Sequence, residues 1–223
     1  MKEHQDLGLL LKEALSARFP LRQQDLGADA HLKKKGMAFD TEAYTVEGIG
    51  HLCVLRMKAM LGLMKMETVV LSSFQRDMPL LNLDWVSAMG KETQIAELYD
   101  VQLQPCPAEF LDAFQRISDR DADLQDYASG KEHWYDSILY PCSYHKTGKG
   151  VSGRLSAAAE SCIRCFAEQL DAAPSCDPEA KRAKVRTFAE TLASRGGPAV
   201  DQMTKLFGKE TAERLILRHM YGV

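Results

Sequence analysis

The spacing of apolar residues along this chain changes twice. Over residues 6–19, Leu7, Leu10, Leu11, Ala14 and Leu15 recur on one face at helical spacing, and Pro20 closes the run. From Met37 onwards the runs shorten. AFDTEAYTVEG, HLCVLRMKAM, LMKMETVVLSS, LLNLDWVSA and QIAELYDVQL each have strand length, and most are parted by a Gly, a Pro or a polar pair. No helix intervenes, so the pattern predicts an antiparallel meander, with a Gly-bearing hairpin loop at AMGKET. LKKKG at 32–36 reads as a solvated basic turn. Further on, the sequence predicts a helix over 107–117 with Pro107 at its start, a solvated acidic loop over 118–132, and one more strand, WYDSILYPCSY, over 134–144. Beyond the glycines of HKTGKG, residues 151–171, 179–194 and 199–220 return to helical spacing, with the breaker Arg195-Gly-Gly-Pro198 between the last two. Strands followed by helices, with no linker, predict one α+β domain over 1–223 in which helices cover a sheet.

Composition narrows the function classes. A chain of 223 residues with 45% hydrophobic content can bury one sizeable core. Its 28 basic and 31 acidic residues leave a net charge of -3, which favours neither nucleic acid nor an anionic membrane surface. No stretch approaches the roughly 20 apolar residues of a membrane span, and the amino terminus lacks the basic start and long apolar centre of a secretory signal. The expectation is a soluble, cytoplasmic protein with reduced thiols at its six cysteines. Cys162 and Cys165 lie one helical turn apart, but no second cysteine pair accompanies them, so helix packing is preferred to a metal site. The histidines at 4, 31, 51, 133, 145 and 219 show no metal spacing, and no nucleotide, zinc-protease or nucleophile-elbow motif is present.

One residue resists the simple pattern. In LLNLDWV, Leu81, Leu83 and Trp85 share one strand face, while Asn82, Asp84 and Val86 share the other. A carboxylate inside an otherwise apolar strand is either a hydrated residue near an edge or a functional acid. Glu67, on the preceding strand, is a candidate partner, and a carboxylate pair with split pKa values can donate a proton at neutral pH. Met57, Met60, Met64, Met66, Met78 and Met89 concentrate in the same strands and turns; core filling is preferred to lining a pocket for a flat conjugated ligand. Arg56 and Lys58 read as exposed strand charge in preference to ligand-carboxylate partners.

Three segments, in order, resemble the ferredoxin-dependent bilin reductases. METVVLSSFQRDMPLLNLDWVSAMG is similar to the family's paired central strands, and Asp84 falls on the catalytic aspartate's position. HWYDSILYPCSY resembles a later aromatic strand, and GGPAVDQMTKLFGKETAERLILRHMYGV resembles the closing helices. The resemblance implies a three-layer α/β/α sandwich with a central antiparallel sheet, and a linear tetrapyrrole held between the sheet and the carboxy-terminal helices. It further implies no tightly bound flavin or metal, electrons arriving singly from reduced ferredoxin or flavodoxin, and side chains that protonate the bilin. Asp84 and Glu67 would then be catalytic, and Arg56, Met66, Asn82 and Val86 would contact the substrate. Glu67 takes the place of a histidine that some members pair with the aspartate, while Leu55 and Gly197 replace acids found in relatives.

Three functions are compatible with that resemblance. The first is a bilin reductase-like oxidoreductase acting on biliverdin or a related tetrapyrrole. A binding protein on the same fold without reductase chemistry is the second, and a reductase of some other tetrapyrrole the third. An acidic electron donor would need a local basic patch, for which the candidates are Lys33, Lys34 and Lys35, or Lys181, Arg182, Lys184 and Arg186.

Overall fold

The five strand-length runs form the centre of one antiparallel sheet. The structure, a computed structural model, describes residues 6–128 and 130–223. His4 and the rest of the first five residues lie outside them, as does Ser129 of the acidic loop. The central strands are β3 (Met37–Val46), β4 (Gly50–Ala59), β5 (Met64–Ser73), β6 (Leu80–Ala88) and β7 (Lys91–Tyr99). Shorter strands, β1 (Leu21–Gln23), β8 (Gln125–Asp126) and β9 (Tyr144–Gly148), extend the order to β1-β3-β4-β5-β6-β7-β9-β8, and β2 (His31–Lys34) pairs with the free end of β3. The AMGKET hairpin forms as expected: Met89 and Gly90 both have positive φ, 52° and 77°, the backbone that a two-residue turn between twisted strands needs.

Both faces of the sheet are covered, which explains why β4 is almost continuously apolar. Leu52 and Val54 join Leu81, Leu83 and Leu98 in a core under α1 (Leu7–Ser16), α2 (Ala108–Asp119) and α3 (Ser152–Ala172). The alternate residues Cys53, Leu55 and Met57 join a second core under α4 (Pro178–Arg195), α5 (Pro198–Phe207) and α6 (Lys209–Arg214), the last continuing as a π-helical turn over Leu215–Met220. The result is the expected three-layer α/β/α sandwich. Helix α1 lies close against the sheet because Gly8 has no side chain; a Cβ there would sit 2.6 Å from a methyl of Val54. Among the described residues, no helix is long and apolar enough to cross a membrane.

Several sequence expectations fail for identifiable reasons. Residues 134–144 are not a strand: Trp134–Ile138 form a 3₁₀ turn, started by a bond from the His133 N–H to the Asp136 carboxylate at 2.7 Å. Trp134 packs into the helix-side core and donates its indole N–H to the Gly196 carbonyl at 3.3 Å, so burial outweighs the strand preference of the aromatic run. The strand comes later, as β9, inside the segment that reads as a break. LKKKG is not a free loop either, since Lys33 and Lys34 belong to β2 and Lys35-Gly36 make its turn into β3. The helix predicted over 199–220 is divided at Gly208, whose φ is 87°.

The second basic cluster is only partly a surface patch: Lys184 and Arg186 are exposed, and the others are not. Lys181 is wholly buried, Lys184 donates to the Gln102 carbonyl, and Arg182 donates to the Gly222 carbonyl at 2.7 Å while covering the Phe74 ring. These groups hold α4 to the loops at the sheet's end. Lys33, Lys34 and Lys35 remain exposed.

Candidate active site

Strand alternation places a polar row on the helix-covered face beneath α4 and α5. Asp84 on β6 stands opposite Thr68 on β5 and Ile95 on β7, and Ile95 stands opposite His145 on β9. In the adjoining row Asn82 stands opposite Glu97. Asn82 divides its amide hydrogens between two carboxylates, donating to Asp84 Oδ2 at 2.7 Å and Glu97 Oε2 at 3.2 Å. Thr68 donates its hydroxyl to the other oxygen of Asp84. Glu97 also accepts from the Tyr99 hydroxyl at 2.7 Å, and its second oxygen lies 3.0 Å from His145 Nε2.

This floor underlies a cavity of about 1030 Å³. Phe188 and Leu192 of α4, Val200 and Met203 of α5, and Ile216, Met220 and Tyr221 of the carboxy-terminal turn wall it above, while Tyr127, His133 and Tyr135 of the loop between β8 and β9 close one side. Tyr135, Tyr99, Phe188 and Tyr221 form an aromatic chain in that order, with successive ring centroids between 4.9 and 5.8 Å apart. Burial pushes the phenols of Tyr99, Tyr135 and Tyr221 upward, reinforced by neighbouring carboxylates, so they stay neutral donors at physiological pH. The methionines separate: Met57, Met64 and Met66 line the cavity with Met37, Met203 and Met220, Met78 lies in the opposite core, and Met60 and Met89 sit at exposed turns.

Of the residues singled out in the sequence, Asp84, Asn82, Val86 and Met66 meet in this cavity, whereas Glu67 and Arg56 do not. Glu67 points through the opposite face of the sheet. Its carboxylate accepts the N–H groups of Leu7 and Gly8 at 2.9 and 3.1 Å, capping the first turn of α1, and lies 3.2 Å from Arg56 Nε. Arg56 also binds Asp6 at 2.9 Å and Glu42 at 2.5 Å. Neighbours on a strand point to opposite faces, so the residue opposite Asp84 is Thr68, and Glu67, opposite Trp85, cannot be its partner. Glu67→Gln is therefore expected to lose about 1–3 kcal/mol of stability in urea denaturation by weakening the seat of α1, while leaving ligand binding in the cavity unchanged. Leu55 shares the row of Thr68 but is buried among apolar residues, and Gly197 lines the cavity.

Burial raises the Asp84 carboxyl from its ordinary 3.8 to about 6; the Glu97 charge adds to the rise, and the bonds from Thr68 and Asn82 oppose it. The residue is half-buried and lines the cavity. An acid with a raised folded-state pKa contributes stability that is present at low pH and lost as pH rises through that value. In paired urea titrations, Asp84→Asn should accordingly gain on the wild type between pH 4 and pH 8, by on the order of 1–3 kcal/mol. A constant difference across that range would show that the carboxyl ionises freely.

Glu97, Tyr99 and His145 were not singled out in the sequence. A signal for two of them existed: the two-residue turn at Met89-Gly90 fixes the register of β6 against β7, and alternation in AELY puts Glu97 and Tyr99 on the face of Asp84. His145 carried no such signal, because the segment around it reads as a loop. No family profile matches the chain, and no curated protein does. Among solved structures, phytochromobilin synthase from tomato in complex with biliverdin matches with a TM-score of 0.76 and 11% identity, covering 96% of this chain and 80% of that one. At that identity the likeness establishes a shared fold, an antiparallel sheet between two helical layers.

Proposed function

We propose that the cavity binds a linear tetrapyrrole, biliverdin or a close relative, and that the protein reduces it. The observation that carries this reading is a carboxylic acid, Asp84, at the floor of a cavity of about 1030 Å³ between the sheet and the carboxy-terminal helices. That volume suits a ligand at or above the upper end of the roughly 300–1,000 Å³ range of small-molecule sites. Its walls are flexible methionines and aromatic rings, suited to a flat conjugated molecule. The similarly folded plant synthase was solved with biliverdin.

Reduction of one double bond consumes two electrons and two protons. In this reading reduced ferredoxin or flavodoxin supplies the electrons one at a time, with no tightly bound cofactor, and Asp84 supplies a proton to the developing negative charge. A carboxyl with a pKa of about 6 suits the task, since a useful share is protonated near neutral pH and its conjugate base is reloaded readily. Asn82 and Thr68 fix its orientation.

A second reading, binding without reduction, is favoured by Gly197, which lines the cavity where a carboxylate is expected from the resemblance. One experiment separates the two. The purified protein is mixed with biliverdin and its absorption recorded, then recorded again after anaerobic addition of a reduced ferredoxin system. A spectral change on mixing followed by loss of the biliverdin band is expected. Binding with no later change would assign the protein to the second reading, and no change on mixing would remove both.

A further inference from the structure

We propose that His145 is a second proton donor to the ligand in this cavity, positioned by Glu97, so that the two protons of the reduction come from two separate fixed acids. The inference rests on the reductase reading above. Its starting point is the way Asn82 divides its amide hydrogens, one to Asp84 and one to Glu97. An amide used in this way ties two carboxylates in place but carries no proton from one to the other. Asp84 is therefore isolated from the Glu97–His145 pair as a proton source, although both stand on the same floor.

The pair has the features that donation requires. His145 and Glu97 both line the cavity, 3.0 Å apart through Nε2 and Oε1. Tyr99 and Asn82 both donate to the other oxygen, Oε2, which leaves Oε1 for the imidazole and fixes the carboxylate's orientation. The His145 backbone is held in β9 opposite Ile95, and its carbonyl accepts the Tyr127 N–H at 3.0 Å, which ties the ring's position to the loop that closes the cavity. The side chain is 30% exposed, so it can be reprotonated from solvent, whereas Glu97 at 14% is more enclosed. Histidine is the side chain best suited to exchanging a proton near neutral pH.

Asp84 and His145 occupy one cross-strand row with β7 between them, two strand spacings or about 9–10 Å apart. Only a ligand extended along that row can meet both. In the reduction, two molecules of a one-electron iron–sulfur or flavin donor are each oxidised by one electron. One proton leaves the Asp84 carboxyl and one leaves the His145 imidazolium; two C–H bonds form and one π bond of the conjugated system is lost. Both acids are then reprotonated from water.

The test uses the full chain as wild type, His145→Gln, Glu97→Gln and Glu97→Asp. Each is titrated with biliverdin and then reduced anaerobically with a ferredoxin system, followed by absorption and electron paramagnetic resonance. His145→Gln and Glu97→Gln should bind biliverdin within about threefold of wild type and turn over about 10²-fold more slowly. A one-electron-reduced radical should persist in both, because the second protonation is missing, and Glu97→Asp should recover part of the rate. Wild-type turnover without a persistent radical in His145→Gln would overturn the inference and leave the reductase reading intact. Loss of biliverdin binding in both the Gln variants would also overturn it, placing the pair in ligand binding alone. A wild type that binds biliverdin but never consumes it would refute the reductase reading itself, and the inference with it.

Discussion

Replacing Lys181 with methionine is expected to remove about 3–5 kcal/mol of folding stability, the cost of breaking a buried ion pair from one side. The Lys181 ammonium is completely enclosed and donates to the Met78 carbonyl at 2.6 Å, the Val101 carbonyl at 2.9 Å and Asp77 Oδ1 at 3.2 Å. Burial pushes its pKa down, and the nearby Asp77 charge opposes that shift. Asp77 in turn accepts the N–H groups of Leu103 and Gln104 at 2.9 and 2.8 Å. One side chain on α4 thus joins the loop before β6 to the loop after β7. Methionine has similar length but no donor, so it would strand two carbonyls and a buried carboxylate. Against a typical total of about 5–15 kcal/mol, such a loss leaves little margin. The check is the urea midpoint of Lys181→Met against wild type. A change below about 1 kcal/mol would mean that the ammonium is solvated and the three contacts are unimportant.

The same anchor matters for the cavity, because α4 also carries Phe188 and Leu192 of its wall. A ligand that binds only the folded form stabilises it by mass action, about 2.7 kcal/mol at a hundredfold excess over its Kd. Biliverdin should therefore restore part of the midpoint lost in Lys181→Met if it occupies the site proposed for it.

Much of this architecture was legible in the sequence because period and turn chemistry act locally. The five central strands follow from apolar spacing and punctuation, and the hairpin at Met89-Gly90 follows from turn stereochemistry. Asp84 stood out because an acid breaks an otherwise apolar run. Its partner is not legible in the sequence for a physical reason: β5 and β6 are joined by six residues, 74–79, with a bridge to Ser175, and no tight turn fixes their register. Once that register is known, Glu67 falls opposite Trp85 and therefore on the other face from Asp84. Lys181 lies four residues before Val185, on the apolar face that Val185, Phe188, Ala189 and Leu192 give α4, but nothing local in the sequence records that a lysine there reaches three acceptors in distant loops. The strand at β9 was hidden for a similar reason, as its Tyr-His-Lys-Thr-Gly sequence gains strand structure only by pairing with β7 and β8.

Asp84→Asn is expected to bind biliverdin with nearly unchanged affinity and to reduce it at least 10²-fold more slowly than wild type. The substitution preserves size and leaves both hydrogen-bond partners usable. The Thr68 hydroxyl can rotate to accept instead of donate, and the Asn82 amide can turn. What disappears is the exchangeable proton at the cavity floor. In the wild type, a donor with a pKa of about 6 is mostly protonated below that pH, so reduction by the free enzyme should weaken as pH rises through it. A bound tetrapyrrole that excludes water from the carboxyl disfavours its charged form further, moving the decline to higher pH in the complex. Comparing the pH dependence of kcat/KM with that of kcat tests this sequence, because the first reports free enzyme and the second the complex. If Asp84→Asn turned over at the wild-type rate, or if the wild-type decline persisted unchanged in the variant, the proton would have to come from elsewhere, and Asp84 would not be the donor.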